Sequence, residues 1–490
     1  MHCRLLAGAI ACSLAIPSVG WSYDFAIDVR TVGQGYQVRG YAPDGRNQLL
    51  SRRRLTQYLN LNVYDIEPAR WKDPTGGRNN LFVDVSLRFD SDFGGYLLGR
   101  PRGDDEIREL KQDQVDVLYA FVGGRGVAGR LDFQLGRQIH FDQVDFYSFD
   151  GGDAILRVHG PLYAEAFAGT EVRGELPLAS PVFELDGTSA GSRDPATRPD
   201  QARQLRPLVG GALALDGDGD GDGAGRFAAR LAYRRVWSAT AQPLPGEPAT
   251  GVNDEKLALT GSAAWRDRVF ATFGVRYNLL VAAFDDQQIA VRVRVAARQW
   301  LSAEQAYLAP TFDGDSIWNI FSSGAYRDLR IGYEAGLAPG VRAHARAFLR
   351  LFSATPGETV AGQDLGAAAP GGRLAGGGSA GADLRRARVF VRADGYFDDG
   401  YGGRKLGSDL SARYALRPGT WEAEWRLTGF FWRSDQQPAT NRGVVFGVQV
   451  GSRYQLAQGM RLHFLAEDNA GTFYRAQARA LALIEVDASL

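Results

Sequence analysis

Cysteine is almost absent from the chain: its 490 residues contain two, Cys3 and Cys12. Both lie in a segment typical of a secretory signal, with Arg4, the apolar run 5–16 and a small-residue cleavage site near Ser22. We therefore predict a signal peptide over residues 1–22 and a single domain over residues 23–490. A mature domain without cysteine excludes disulfide scaffolds, Cys-zinc sites and thiol catalysis. A lipoprotein signal ending at Cys12 is the alternative, although its apolar run is short.

Lysine and net charge are also lacking. The chain has 56 basic and 56 acidic residues, and only four of the basic ones are lysines, so the remaining 52 are arginines. A net charge of zero argues against a nucleic-acid partner, because nucleic-acid-binding proteins usually carry an excess of basic residues. The arginine bias has a second explanation, since a GC-rich genome produces it as well.

Long apolar runs are the third absence. Mean hydropathy is −0.23, and after residue 22 no run approaches the roughly 18 residues that a membrane-spanning helix needs. An exported chain without a helical anchor is either a soluble secreted protein or a β-barrel, the other fold that satisfies its backbone in lipid.

What the chain does contain is alternation with a period of two. One face of 81–89 is apolar and the other carries Asp84, Ser86 and Arg88; the segments 289–295, 341–351 and 474–490 repeat the pattern. A soluble sandwich also alternates, because one face of each sheet meets water. The pattern therefore predicts antiparallel strands but leaves their surroundings open.

Three details favour a membrane barrel. The apolar faces often carry alanine, as at Ala345 and Ala347, which suits lipid contact better than a packed core. Aromatic residues such as Trp265 and Trp421 lie at segment ends, as interfacial girdles require. Connections also alternate between tight ones (266–268, 417–419, 457–459) and long ones (33–53, 94–111, 172–205, 238–253), which matches short periplasmic turns and long outer loops.

We therefore predict an all-β fold, a transmembrane antiparallel up-and-down β-barrel of about 18 strands, with 16–20 as the range, wide enough for an aqueous channel. Counting back from the C-terminus places the Gly/Ala-rich segment 354–383 on the periplasmic side and the tight turn 338–340 outside, each on its less expected side. A missed or split strand near 302–322 would repair one end of this conflict.

Side chains opposite the lipid face line the lumen and carry the predicted selectivity. The predicted basic lining is Arg276, Arg292, Arg294, Arg298, Arg330, Arg342, Arg346, Arg350, Arg388 and Arg392. The predicted acidic lining is Asp84, Asp116 and Asp132. Because strands adjacent in sequence are neighbours in a barrel, this predicts an arginine wall across the pore from an acidic one. Such a wall would concentrate anions and offer forked donors to carboxylate, sulfate or phosphate. The alternative is that inward arginines pair with inward acids such as Glu334, Asp394, Glu422 and Glu424 and only solvate a wet lumen.

The segment Leu135-Gly136-Arg137-Gln138, followed by Phe149-Asp150-Gly151-Gly152 and a new alternating strand, resembles the alginate-export family of outer-membrane porins. The close match covers about 40 residues, and the rest of the chain agrees with that family only in architecture. The resemblance implies a monomeric barrel of about 18 strands that passes an anionic uronate polysaccharide through an arginine-lined pore. It implies that Arg137 and Gln138 pin a strand end or face the pore mouth, and that Asp150 and Gly151 form the turn that folds the loop back. These four residues could equally serve loop geometry alone. The C-terminus departs from the common pattern, since it ends in Leu490 rather than an aromatic.

Other signals have plain alternatives. The repeat 216–223 offers oxygens to calcium, but it lacks the EF-hand spacing and a flexible acidic turn explains it too. Gly-x-Ser-x-Gly occurs at 187–191 and 377–381 without the strand-to-helix context of a nucleophile elbow. The aromatic segment 307–321 either enters the pore, where Phe312 or Trp318 would stack on sugars, or anchors the membrane interface. Segment 354–383 is either a gate or a flexible loop.

These observations predict a channel in the outer membrane of a Gram-negative bacterium, with no enzymatic activity, metal or cofactor. The main hypothesis is outward passage of an anionic exopolysaccharide, with periplasmic and inner-membrane export components as possible partners besides the outer-membrane lipid. The alternative hypothesis is an uptake porin, general or substrate-selective, for small anions or sugars.

Overall fold

The computed structural model describes residues 21–41, 47–68, 80–92, 113–172, 206–218, 225–237, 251–309, 325–353, 359–360, 363–364, 374–401, 403–434, 442–472 and 475–489. No helix in these ranges is long and apolar enough to cross a membrane. Residues 1–20 of the predicted signal peptide, 310–321 of the aromatic segment, 219–223 of the Asp-Gly repeat and most of 354–373 lie outside the described residues. Trp21 and Ser22, predicted as the end of the signal peptide, are the first residues of β1.

The described residues form β-strands throughout. In chain order they are β1 (Trp21–Tyr41), β2 (Asn47–Pro68), β3 (Asn80–Asp92), β4 (Asp113–Val127), β5 (Leu131–Phe141), β6 (Phe146–His159), β7 (Leu162–Glu171), β8 (Pro207–Asp218), β9 (Arg226–Trp237), β10 (Val252–Trp265), β11 (Val269–Asn278), β12 (Ala283–Ala296), β13 (Gln299–Leu308), β14 (Tyr326–Ala338), β15 (Val341–Phe352), β16 (Thr359–Val360), β17 (Gln363–Asp364), β18 (Leu374–Arg386), β19 (Val389–Gly400), β20 (Gly403–Arg417), β21 (Trp421–Ser434), β22 (Arg442–Ala457), β23 (Met460–Gly471) and β24 (Ala476–Ser489).

Twenty-two of these strands make one closed antiparallel barrel, and β16 and β17 pair only with each other. Each barrel strand pairs with its neighbours in sequence, β15 pairs with β18, and β24 pairs with β1 to close the ring. The closing ladder, which we call the seam, runs from Asp28 opposite Ser489 to Tyr41 opposite Ala476. Closure leaves the barrel without an unpaired edge, which lipid would not tolerate.

The two faces of the wall differ in chemistry. On β22, Val444, Phe446, Val448 and Val450 point the same way and are 40–62% exposed, while the alternate positions include Gln449 and three glycines. An apolar face left uncovered by protein is the lipid-facing face of a barrel. Trp265 and Trp421 lie on this face beside tight turns and are 63% and 44% exposed, as an interfacial aromatic belt requires.

The two ends of the barrel differ in their connections. At one end, which we call the short-turn end, strands are joined by tight turns such as 266–268, 297–298, 339–340 and 418–420. At the other, the long-connection end, the connections include 93–112, 172–206 and 309–325. Short turns face the periplasm in outer-membrane barrels, so the long-connection end is the outer one.

The predicted count of about 18 strands, with 16–20 as the range, is wrong: the barrel has 22. Two of its strands, β13 and β18, are difficult to recognise in the sequence. The turn between β12 and β13 consists of only residues 297–298, so the alternation runs through it and the two strands resemble one. Strand β18 begins Leu-Ala-Gly-Gly-Gly-Ser-Ala-Gly, which resembles a low-complexity loop. It needs these glycines, because a Cβ at Gly377 would collide with the Phe397 carbonyl on β19 and approach Phe348 on β15 to 2.9 Å.

Counting β13 and β18 removes the conflict over sides. The turn 339–340 now lies at the short-turn end, and the connection between β15 and β18 lies at the long-connection end. The predicted loop 33–53 is also mostly strand, since β1 and β2 pair continuously from Gly33 opposite Leu55 to Tyr41 opposite Asn47.

Candidate channel lining

The tip of the β5–β6 hairpin, residues 142–145, forms a turn that is held by its own side chain. The Asp142 carboxylate accepts hydrogen bonds from the backbone N–H groups of Val144 (2.9 Å) and Asp145 (3.1 Å). The Asp142 N–H in turn donates to the Asp145 carbonyl at 3.1 Å. Aspartate favours such turns because its short side chain reaches the backbone two residues on. The sequence therefore makes a compact, self-supporting tip.

This tip lies inside the barrel, against the inner faces of β8 to β11. Val144 is 1% exposed and packs with Ala212, Ala232 and Ala258, one residue each from β8, β9 and β10. The Gln143 side chain lies over Gly274 of β11, where an added Cβ would be 3.1 Å from its Nε2. Small side chains on four successive strands thus make the groove that receives the tip.

Charges tie the tip to the same wall. The Asp145 carboxylate lies 3.0 Å from the Lys256 ammonium and 3.1 Å from an Arg234 guanidinium nitrogen. Asp254 contacts both cations as well. Burial by itself raises the pKa of the Asp145 carboxyl, but Lys256 and Arg234 outweigh it, so the pKa lies below its ordinary value. The tip therefore stays anionic and attached at neutral pH.

An aromatic cluster fills the lumen beside the tip. Tyr147, Phe149, Phe167, Leu208 and Val236, from β6 to β9, are all inward and 0–5% exposed. The His140 ring packs on the three aromatic ones, at 5.0–5.4 Å between ring centroids. Inward residues of a barrel this wide would normally face water. Their burial shows that the lumen is filled on the side of β5 to β11.

Exposed ion pairs line the wall from β12 to β24 instead. Arg292 and Glu334 are bonded at 2.7 Å with side chains 47% and 46% exposed. Further inward pairs of this kind are Arg330–Glu304, Arg392–Asp394, Arg426–Asp409, Arg453–Glu424 and Arg479–Glu467. The accessible path through the described barrel therefore runs along this wall, with the tip and aromatic cluster opposite.

Six of the ten arginines predicted as basic lining bond a carboxylate on the same strand or on a strand one or two places away. The pairs are Arg276–Asp285, Arg292–Glu334, Arg330–Asp328, Arg342–Asp383, Arg350–Asp328 and Arg392–Asp394. Asp328 is itself buried and binds Arg350 through two bonds of 2.9 and 2.8 Å. Most of these arginines thus share the wall with acids rather than forming an unopposed arc.

The other four arginines have no ion pair with a described residue. Arg298 and Arg388 lie in the turns 297–298 and 387–388 at the periplasmic mouth. Arg294 lies on β12 with its guanidinium 4.8 Å from the Trp300 ring centroid. Arg346 lies on β15, exposed, between Gly332 and Ser379 on the adjacent strands. Two inward guanidinium groups are therefore available to a solute.

The predicted acids are all engaged or enclosed. Asp116 forms a buried pair with Arg88, with 3.0 Å between Nε and Oδ2. Asp132 accepts a bond from the Gly126 N–H at 2.6 Å. Asp84 lies on β3, and its Oδ1 is buried. Asp116 and Asp132 thus serve local structure, and Asp84 is enclosed rather than open to the lumen.

The motif residues lie in strands, not in a turn. Arg137 on β5 and Asp150 on β6 face each other and form two bonds of 2.8 and 2.9 Å. They share the outer face with Leu135, which is 53% exposed. Gln138 is buried and donates to the carbonyls of Gln134 and Gly151 at 3.2 Å. Phe146 begins β6 four residues before Asp150, so the turn precedes the Asp-Gly pair.

The sequence did not indicate the residues that shape the lumen most. Asp145, Val144, Arg234 and Lys256 belong to a hairpin tip and to a wall three to four strands away. One local signal exists: two aspartates three residues apart between Phe141 and Phe146 suit a tight turn rather than a long outer loop.

No protein-family model matches the sequence, and no curated protein matches it. Among solved structures, Acinetobacter baumannii OccAB4 is 7% identical, with a TM-score of 0.44 over 95% of this chain and 98% of that chain. Acinetobacter baumannii OccAB3 is 10% identical, with a TM-score of 0.44 over 95% and 100%. Pseudomonas aeruginosa OpdK, solved with vanillate, is 9% identical, with a TM-score of 0.42 over 95% and 99%.

The expected membership of the alginate-export family is wrong, since that resemblance implied about 18 strands and the barrel has 22. The hypothesis of exopolysaccharide export is wrong with it, and nothing supports the expected export components. The closed barrel, apolar outside and charged inside, is that of a protein of the outer membrane of a Gram-negative bacterium.

Proposed function

We propose that this barrel is a substrate-selective diffusion channel through which small anionic solutes, carboxylates above all, enter the cell. The observation that carries the proposal is the pair Arg294 and Arg346: both are inward and exposed, and no described carboxylate bonds either one. A guanidinium presents planar forked donors that match a carboxylate. The neighbouring ion pairs are neutral overall, so these two groups set the local sign of the potential.

The wall beside Arg346 is low because the residues next to it are small. Arg292, Ser302, Gly332 and Arg346 occupy one line across β12 to β15. Three strand spacings separate the outer two, or about 14 Å, and the two residues between them are small. The line is therefore a low stretch of wall that leads from Arg346 to Arg292, which is bonded to Glu334. Arg294 lies two residues further along β12.

The filled half of the lumen supports selectivity for small solutes. The docked tip and the aromatic cluster remove part of the cross-section that a barrel of 22 strands would otherwise leave open. A solute is thereby brought against the charged wall, where its charge matters. Net uptake then follows the concentration gradient, with no energy source required.

The test is the reversal potential of single channels in a salt gradient. Arg294→Gln with Arg346→Gln removes two unpaired charges, while Arg292→Gln with Glu334→Gln removes one bonded pair at no net change. Each charge contributes roughly 0.5 kcal/mol at about 8 Å in water, and 0.1 M salt screens about half of this. We expect the first variant to lower the anion preference about twofold and the second to leave it unchanged.

Liposome-swelling rates provide a second measurement. Small mono- and dicarboxylates should enter faster than a neutral sugar of equal size, and the Arg294→Gln, Arg346→Gln variant should remove most of that difference. A cation-selective wild type, or equal effects from both variants, would refute the proposal.

A further inference from the structure

Asp398 on β19 and Lys405 on β20 are two opposite charges in the lumen that do not bond each other. They lie directly opposite in the β19–β20 ladder. Asp398 shares its face with Asp394, and Lys405 shares its face with Asp409; both of these acids belong to the inward ion pairs described above. Among the described residues, neither Asp398 nor Lys405 has an ion pair. We call the two residues the unbonded pair.

Opposite charges in comparable positions do bond elsewhere in the barrel. Asp399 and Arg404 are the next residues on the same two strands, also lie directly opposite, and are bonded at 2.5 Å. On the inner face, Arg342 and Asp383 lie directly opposite and are bonded at 3.1 Å. Direct opposition is therefore sufficient for an ion pair in this fold, and the unbonded pair departs from that pattern.

Two aromatic rings hold the ammonium of Lys405. Its Nζ lies 5.3 Å from the Tyr396 ring centroid and 5.0 Å from the Phe430 ring centroid. Tyr396 and Phe430 flank the same residue, Gly407, from the two neighbouring strands. Exposed cation–π contacts and exposed ion pairs are of similar strength, so the rings compete with Asp398 for the ammonium. A ligand can therefore bind both charges without first breaking an ion pair between them.

The unbonded pair lies towards the outer mouth, next to an apolar ring. Asp398 is two residues from the end of β19 and Lys405 is two residues from the start of β20, both at the long-connection end. Phe348 and Gly377 continue the line of Lys405 and Asp398 across β18 to β15. The half-buried Phe348 ring leans over Gly377, where an added Cβ would lie 2.9 Å from it. The ring thus lies on the side of Asp398 that is away from Lys405.

Other inward charges on the neighbouring strands already have partners. Their ion pairs are Arg350–Asp328, Arg392–Asp394 and Arg426–Asp409. The unbonded pair therefore offers one positive and one negative group, side by side and without net charge.

We propose that the unbonded pair binds the two charged groups of an α-amino acid with an apolar side chain. Lys405 binds its carboxylate, Asp398 binds its ammonium, and Phe348 contacts its side chain. Directly opposed residues have Cβ atoms about 4.5–5.5 Å apart, so one small molecule with both charges reaches both residues. A simple anion would bind Lys405 and be repelled by Asp398. The inference rests on the proposed function, because the barrel must pass small solutes, and it adds solutes without net charge.

The experiment measures block of the single-channel current in planar bilayers by three probes. They are leucine, N-acetyl-leucine, which lacks the ammonium, and leucinamide, which lacks the carboxylate. Wild type should bind leucine about tenfold or more tighter than either derivative, because each derivative loses one charge-assisted hydrogen bond. Asp398→Asn with Lys405→Gln should abolish this preference. Asp399→Asn with Arg404→Gln is the matched control, the bonded pair one residue away on the outer face, and should bind leucine as wild type does.

Asp398→Asn alone separates the two contacts. It should weaken the binding of leucine about tenfold, because the ammonium of the probe loses its partner. It should not weaken the binding of N-acetyl-leucine, which has no ammonium and is no longer repelled by the carboxylate.

Two results would overturn the proposal. A wild type that does not distinguish leucine from its two derivatives decides the matter even if the variants fail to insert. An equal loss of leucine binding in the Asp399→Asn, Arg404→Gln control would assign the effect to the strands and not to the unbonded pair. The anion path is tested separately by the reversal potential: a missing anion preference with the leucine preference intact would contradict the proposed function and support the amino-acid site.

Discussion

Among the contacts that dock the tip of the β5–β6 hairpin, two can be removed separately by substitution. Val144 is 1% exposed, and full burial of a valine side chain contributes roughly 1.5–2 kcal/mol. The Asp145 side chain is 36% exposed, and Asp254 remains against both of its cations. Its pairs therefore contribute about 1 kcal/mol, well below the ~3–5 kcal/mol of breaking a fully buried pair.

These magnitudes predict a non-linear response. Val144→Gly or Asp145→Asn alone should leave the tip docked, because each shifts the equilibrium by only about 5- to 30-fold. The double variant loses about 2.5–3 kcal/mol, or roughly 100-fold, so undocked states should become visible. In planar bilayers we expect single-channel conductance and open-channel noise to rise in the double variant and to stay near wild type in each single one.

The control for this prediction is Asp267→Asn, which removes the same charge in the exposed turn 266–268 away from the tip. It should conduct as wild type does. A double variant with wild-type conductance and noise would show that the tip does not limit the pore. A full effect from either single variant would show that the two contributions are not separable as argued.

Three further predictions concern stability and pH. Gly381→Ala should lower the free energy of unfolding by about 1–3 kcal/mol, and with it the thermal unfolding temperature, because its Cβ would lie 2.5 Å from the Ala393 carbonyl oxygen. Gly395→Ala, with nothing nearer than 4.0 Å, should be neutral, and equal melting temperatures for the two variants would contradict this. Asp116→Asn should lower the free energy of unfolding by about 3–5 kcal/mol, because Arg88 stays buried while its bond is weakened. Heat-modifiability on gels measures this loss of stability, and a wild-type melting temperature would refute the prediction. The pKa of Asp145 is depressed in the fold. Its ion pairs therefore stabilise the docked tip fully above the unfolded pKa of about 3.9, and this stabilisation is lost only as pH falls through the lower folded value. Conductance should be constant from about pH 7 to pH 5, and a rise in that window would show another titrating group at the tip.

The fold class follows from the sequence because each strand carries its own evidence. The alternation in β12 and β15 distinguishes the lipid face from the lumen face without any partner strand. The two strands that the sequence concealed, β13 and β18, lack such evidence: one continues its neighbour's alternation through a two-residue turn, and the other is built of glycines whose purpose lies on β15 and β19. From one sequence alone, a glycine that is required by bulky groups on the adjacent strands cannot be distinguished from a glycine in a loop.

The lumen was less predictable than the wall. Alternation assigns Arg292 or Arg350 to the inner face, but their partners Glu334 and Asp328 belong to other strands, and only the register pairs them. The same is true of the tip, because the residues of β8 to β11 that Val144 contacts are 68–132 positions away in the sequence. Charge counts along the chain therefore describe composition, while the potential in the pore depends on which charges meet.

The seam has a consequence for the order of assembly. A hairpin between neighbouring strands joins segments roughly 20 residues apart, whereas the seam joins segments roughly 450 residues apart, so its closure costs about 3 kcal/mol more in chain entropy. Until β1 meets β24, both edges expose unpaired backbone groups that a bilayer cannot satisfy. Partial closure of the ring therefore adds little stability, and we expect β1 and β24 to be the last strands to pair. The seam is then the last place at which a folding catalyst can hold the barrel open.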